Sequence, residues 1–203
     1  MFIGKYNKSI ILTYLGVAFG IVGMNFALQN NIRYCMICLV LAGVCDLFDG
    51  KVARMCKRTE DEKLFGIEID ALADMVNFVT FPCIIGYSLG LNAWYNILGY
   101  ILLVLAGITR LGFFNISVFT TNISEPVNSY KGLPVTSTSI IVPFLWVVCE
   151  FLLKINFSLI FPYMTYIIAL LFVLNFSIPK FKGKAYIVLA IIALLGLGLL
   201  VFI

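Results

Sequence analysis

Seven apolar windows, each about twenty residues long and therefore able to cross a bilayer as a helix, fill almost all of this 203-residue chain. They fall at roughly 10–28, 34–54, 66–90, 93–115, 135–153, 158–176 and 184–203. A helix is suited to hydrocarbon because it satisfies its own backbone donors and acceptors. The composition agrees: 62% of residues are hydrophobic and 12% charged, where a soluble domain is about half apolar. No stretch remains for a separate soluble domain, so residues 1–203 read as one all-α domain. It is a polytopic integral membrane helical bundle of six to seven transmembrane helices.

Charge orients the bundle. Lys5 and Lys8 precede the first window, which runs on to Leu28 without a small-residue cleavage site and so reads as an uncleaved span. Lys51, Arg54, Lys57, Arg58 and Lys63 crowd the 51–65 connection, and Lys180, Lys182 and Lys184 the segment 177–184. The alternate connections hold only Arg33 and Lys154. The positive-inside rule then puts the N-terminus and the 51–65, 116–134 and 177–184 segments in the cytoplasm. A net charge of +4 carried by such loops fits membrane orientation and not nucleic-acid binding. Pro82 and Pro143, inside spans, are expected to kink them. Glu150 and Lys154, one turn apart, are expected to pair.

The chain has no histidine, which removes Ser-His, Cys-His and His-metal schemes and leaves carboxylates, a metal, Lys or Tyr for any catalysis. Cys35 and Cys38 form a CxxC without a second pair, so the six cysteines read as small apolar helix residues.

Four acids interrupt the apolar pattern. Asp46 and Asp49 share one helix face, which Ala53 continues; Gly66, Asp70 and Asp74, at successive fourth positions, form a second stripe. A carboxylate at the bilayer centre costs about 2.5–3.5 kcal/mol, so four unpaired ones cost on the order of 10 kcal/mol. Two facing stripes would converge them, and they cannot all ionise without cations between them. Hard divalent ions with oxygen ligands, Mg²⁺ or Mn²⁺ with Ca²⁺ as a further candidate, suit an all-carboxylate site. Gly50, Ala53 and Gly66 allow close approach of a ligand, and Arg54 offers a forked donor to a phosphate. Metals, acids and a phosphate-binding arginine together describe an in-line phosphoryl displacement. A cation channel or transporter is the competing reading of intramembrane acids, and it leaves the glycine, alanine and arginine positions unexplained.

Asp46-x2-Asp49-Gly50-x2-Ala53-Arg54-x11-Gly66-x3-Asp70-x3-Asp74 resembles the signature of the CDP-alcohol phosphotransferases. Its spacer of eleven exceeds the family's commonest eight and falls in a charged loop. Gly66–Asp74 leading to Phe78 and Pro82, Arg110–Asn115, Tyr130–Pro134 and Ser177–Lys182 resemble the phosphatidylserine synthase branch. Ala71 and Asn77-Phe78-Val79 depart from the serine and the Ser-Phe-Gly usual there, beside the acceptor site.

The resemblance implies the family's membrane fold, two divalent cations, a homodimer, and a cytoplasmic membrane with the active site on its inner side. CDP-diacylglycerol would be the donor, its acyl chains among the membrane lipids, and L-serine the acceptor. Asp46, Asp49 and Asp70 would hold metal, with Asp74 a ligand and general base. Gly50, Ala53, Arg54 and Gly66 would cradle the cytidine diphosphate, with Thr13 a further candidate. Arg110 or Lys131 could hold the serine carboxylate. For Arg110 the alternatives are snorkelling or pairing with Glu68; for Lys131, an ordinary loop charge. Asn115 either reads the ammonium or caps its helix. Other acceptors, such as glycerol phosphate or inositol phosphate, and an ether-lipid donor are the alternatives within the same chemistry.

Overall fold

The computed structural model describes residues 3–120 and 129–179 together with Gly198, with side chains left out at 117–120, 129–131 and 177–179. The expected seventh span at 184–203 therefore lies outside the described residues, apart from Gly198, and with it the choice between six spans and seven.

The other six windows are helical. α1 runs Ile10–Leu28 and α2 Ile32–Met55. α3 (Glu60–Asp74), a π-helical turn (Met75–Thr80) and α4 (Phe81–Ser88) make one continuous rod. α5 runs Trp94–Thr120. A 3₁₀ turn (Val135–Ser137), α6 (Thr138–Val147) and a second π turn (Val148–Leu153) make the next rod, and α7 spans Phe157–Val173. Among the described residues four stretches are long and apolar enough to cross a membrane: Ile10–Leu28, Glu60–Ser88, Trp94–Ile116 and Val135–Leu153. α7 is a shorter apolar helix. α2, at 24 residues, has the length, but its second half carries Asp46, Asp49, Lys51 and Arg54. One addition to the helices is a two-stranded antiparallel ribbon, β1 (Ser129–Lys131) with β2 (Ser177–Pro179), in register Tyr130↔Ile178.

Large apolar side chains point outward on every rod. Ile11, Leu72, Trp94, Leu152 and Tyr163 are each more than 60% exposed. Such a surface is stable only against lipid or protein.

Small residues set how closely the helices approach. Gly16, Gly20, Gly23 and Ala27 lie three or four apart on α1, and all are buried. A methyl group added at Gly23 would stand 2.4 Å from Phe81 Cζ and 2.7 Å from Cys38 Cβ. One at Gly20 would stand 2.1 Å from Asn77 Oδ1. This stripe lets the α1 backbone sit against both α2 and the π turn, in the manner of small-residue interfaces in membranes.

The prolines are accommodated by identifiable partners. Pro82 has no N–H, which frees the carbonyl of Phe78 four residues back. The fully buried Thr138 hydroxyl donates to that carbonyl at 2.8 Å, which is how membrane bundles tolerate such breaks. Pro82 directly follows one π turn and Pro143 shortly precedes the other, so the irregularity takes the form of widened turns.

The expected Glu150–Lys154 pair does not form. Glu150 Oε1 accepts the Phe157 amide at 3.0 Å, while Lys154 adopts a left-handed backbone (φ 54°) that ends the helix. An orphan amide at the start of α7 competes better for the carboxylate than an exposed ammonium does. The six cysteines are free, and all but Cys56 are buried.

Candidate active site

The connection from α2 to α3 is only Cys56–Thr59, so the chain turns back at once, and α1 packs against both helices while their acids face. Thr59 opens α3 with a reciprocal cap: its hydroxyl accepts the Glu62 amide at 3.3 Å, and Glu62 Oε2 accepts the Thr59 amide at 2.8 Å. The N-terminal segment ties the turn down. Asn7 Nδ2 donates to Lys57 O at 3.1 Å, Lys5 pairs with Asp61 at 3.3 Å, and the Tyr6 and Phe65 rings meet edge-on. These contacts put the N-terminus and the 51–65 segment at the same end of the bundle.

Within this frame Asp46, Asp49 and Asp70 bring carboxylate oxygens to within 4.8 Å of one another. Asp74 lines the same recess, together with Thr13, Gly16, Ala42, Ala73, Asn77 and Phe78. Asp46 contacts Asp74, and Asp49 contacts Asp70. Asp49 is the most enclosed, 8% exposed, and Thr13 Oγ1 donates to its Oδ2 at 3.0 Å. Among the described residues no lysine or arginine lines the recess.

The donor set fits a hard divalent cation. Oxygens around Mg²⁺ at about 2.1 Å lie about 3–4.2 Å apart, and around Ca²⁺ up to about 5 Å. Carboxylate oxygens within 4.8 Å can therefore share one ion with little movement. Asp46, Asp49, Asp70 and Asp74 are the residues that could hold it.

The remaining expected residues divide by position. Gly50 follows Asp49 and is exposed, with nothing within 4 Å of where a Cβ would stand. Gly66 is one turn before Asp70, and only the Arg58 guanidinium comes near its Cβ position, at 3.5 Å. Neither glycine is needed for packing, unlike those of α1. Ala53 is half-buried and Arg54 exposed, on the next turn of α2.

Arg110, on α5, is 6% exposed and stacks on Phe114, with its guanidinium carbon 4.7 Å from the ring centroid. Its Nη1 donates to Phe172 O at 3.4 Å, and the charge of Asp74 reaches it. With Thr109, Phe113, Phe114, Phe172, Val173, Leu174 and Asn175 it lines a cavity of about 280 Å³. Asn115 Nδ2 lies 3.5 Å from Glu68 Oε2, so Glu68 faces Asn115 and bridges α3 to α5. Lys131 is in β1, and its side chain lies outside the described residues. Gly132, next to it, has φ +68°, and a Cβ there would stand 2.8 Å from Arg110 Nη1. Glycine at this turn leaves the Arg110 guanidinium its room.

Two groups at the site were not among the expected site residues, although Asn77 stood out as a departure from the branch pattern. Asn77 is buried in the recess with no partner for its Oδ1. It continues the Asp70, Asp74 stripe by three residues, so a lone amide at helical spacing was the available signal. The Phe172 carbonyl, 62 residues from Arg110, had none.

The chain is similar to known proteins. The CDP-alcohol phosphatidyltransferase profile matches residues 7–202. A CDP-diacylglycerol–serine O-phosphatidyltransferase of Helicobacter pylori (strain 26695) is 33% identical over 171 residues, covering 78% of this chain and 67% of that protein. The protein of the same name from Saccharomyces cerevisiae is 35% identical over 107 residues, 51% of this chain but 38% of its own length. The archaetidylserine synthase of Methanothermobacter thermautotrophicus is 30% identical over 133 residues, 65% of this chain and 54% of its own. The chain thus spans between about a third and two thirds of these relatives. It belongs to the CDP-alcohol phosphatidyltransferase family, a family of multi-pass membrane enzymes.

Proposed function

We propose, from this family membership, that the chain transfers the phosphatidyl group of CDP-diacylglycerol to the hydroxyl of L-serine and releases CMP. The observation that carries the reading is the convergence of Asp46, Asp49 and Asp70 within 4.8 Å, with the buried Arg110 within electrostatic reach of Asp74. The names of the relatives supply the acceptor. Residues 1–203 act as one membrane domain, a homodimer in the cytoplasmic membrane with the site on the inner side. The lysines and arginines of the 51–65 segment support that orientation.

Asp46, Asp49 and Asp70, completed by Asp74, would hold two Mg²⁺ or Mn²⁺ ions. Bound there, the ions supply positive charge to the attacking and leaving oxygens of the displacement. Thr13 orients Asp49 through its hydrogen bond and borders the nucleotide. Gly50, Ala53, Arg54 and Gly66 hold the cytidine diphosphate, the glycines by leaving open space and Arg54 by forked donors. Arg110 binds the serine carboxylate, assisted by Lys131, while Asn115 and Glu68 border the ammonium. Asp74 accepts the hydroxyl proton as the serine oxygen bonds to the β-phosphorus and the bond to the CMP oxygen breaks.

The test is CMP release from CDP-diacylglycerol by the detergent-solubilised chain with only the acceptor varied. Serine-dependent release is expected. Equal rates with glycerol phosphate or inositol phosphate, or without any acceptor, would overturn the choice of serine. The archaetidylserine relative favours running the same assay with an ether-lipid donor, since its name keeps the serine and changes the lipid.

A further inference from the structure

Arg58 lies in the eleven-residue spacer between Arg54 and Gly66, outside the signature. Its guanidinium nonetheless folds back over the stripe that carries the acids. Nη1 is 3.5 Å from the point where a Cβ of Gly66 would stand, one turn before Asp70. Nε is shielded from solvent and has no hydrogen-bond partner among the described residues. The acids that follow it are engaged elsewhere: Glu60 pairs with Lys63 at 2.6 Å and Asp61 with Lys5 at 3.3 Å, while Glu62, whose charge acts on Arg58, has its Oε2 on the Thr59 amide. The backbone on both sides of Arg58 is held, by Asn7 on Lys57 O and by the Thr59 cap. The side chain therefore rises from a tied turn, beside the face that glycine keeps open. A buried guanidinium edge without an acceptor is expensive, and planar forked donors match phosphate oxygens.

We infer that Arg58 is a second phosphate-binding arginine, donating to the diphosphate of the cytidine nucleotide as it lies across Gly66. The inference rests on the proposed donor and adds a residue to its site. Arg54 belongs to the last turn of α2 and Arg58 to the turn before α3, so in this reading the two guanidiniums bracket a dianion between the helices. A single arginine would leave its second face to water.

The experiment is calorimetric titration of CDP, with Mn²⁺ present, into the detergent-solubilised full chain and its variants. Wild type binds. Arg58→Ala is expected to bind on the order of tenfold more weakly, the worth of one charge-assisted hydrogen bond. Arg58→Lys should fall between, since it keeps the charge without the fork. In turnover, the KM for CDP-diacylglycerol rises while the KM for serine holds. Glu62→Gln, which preserves the cap, separates this role from a structural one and should bind CDP as wild type does. CDP affinity unchanged in Arg58→Ala, or lost equally in Glu62→Gln, overturns the role of Arg58 and leaves the proposed reaction standing. Failure of wild type to bind CDP overturns both. If Arg58→Ala does not fold, Arg58→Lys decides: binding equal to wild type refutes a bidentate role.

Discussion

Replacing Thr13 by valine removes one oxygen from the acid recess and almost nothing else. The Thr13 hydroxyl donates to Asp49 Oδ2 at 3.0 Å, and Asp49 is 8% exposed, so water cannot readily take its place. A hydrogen bond to a charged group contributes about 1.5–3 kcal/mol, which corresponds to about a 10- to 150-fold change in an equilibrium constant. Loss of partners that orient metal ligands costs about 10–100-fold in metal affinity, so two independent lines give the same range. Thr13→Val should therefore weaken Mn²⁺ binding about 10–100-fold, with Thr13→Ser close to wild type. The assay is titration of Mn²⁺ into the purified chain, followed by calorimetry and by the rise in melting temperature. Equal Mn²⁺ affinity in wild type and Thr13→Val would refute the claim that this hydroxyl organises Asp49.

Asp74→Asn should lower CMP release by about 10²–10⁴-fold, the usual worth of a positioned base, while CDP-diacylglycerol still binds; near-normal turnover would remove Asp74 as the base. Arg110→Ala should raise the KM for serine and leave CDP affinity alone, and a loss confined to CDP would contradict its assignment to the acceptor. Thr138→Val leaves the Phe78 carbonyl without its donor and should cost about 1–3 kcal/mol of stability, read as a lower melting temperature. The glycines should separate by site. Gly23→Ala forces a methyl against Phe81 and Cys38 and should destabilise by about 1–3 kcal/mol. Gly50→Ala meets open space and should keep or slightly raise stability, alanine being about 1 kcal/mol better in a helix, while CDP binding falls. Lower stability in Gly50→Ala would mean that its glycine serves the fold.

The helical rods were legible because hydrocarbon length imposes long runs of apolar residues, and α1 begins and ends where its window does. The start of the third rod was not, because Glu60–Phe65 reads as a charged loop by composition. Its visible signal was local: Thr59 and Glu62 at capping-box spacing. The π turns escaped for a different reason. Pro82 announces a break, but the form of the break depends on Thr138, far away in sequence, arriving to satisfy Phe78. The acid cluster was the most legible part of the site, since helical spacing alone aligns each pair and energy demands that the pairs meet. Arg110 was legible as a costly charge, and its surroundings were not. The Phe172 carbonyl and the positive φ of Gly132 come from segments that only the tertiary fold brings together.

Those surroundings explain why the acids can be tolerated at all. The recess is floored by Ala42, Ala73 and Phe78, and its polar lining offers the four carboxylates the hydroxyl of Thr13 and the amide of Asn77, whose Oδ1 is itself unpartnered. Among the described residues no cation lines the recess, and the small residues of α1 hold the helices close. Local conflict of this kind, where every other level of the structure agrees, is where function resides. A cation that relieves it binds the folded state and not the unfolded one, and so stabilises the α1–α2–α3 junction by mass action. Metal affinity and bundle stability must then move together: variants that loosen the α1 stripe should also bind Mn²⁺ more weakly, although no residue of that stripe supplies a ligand.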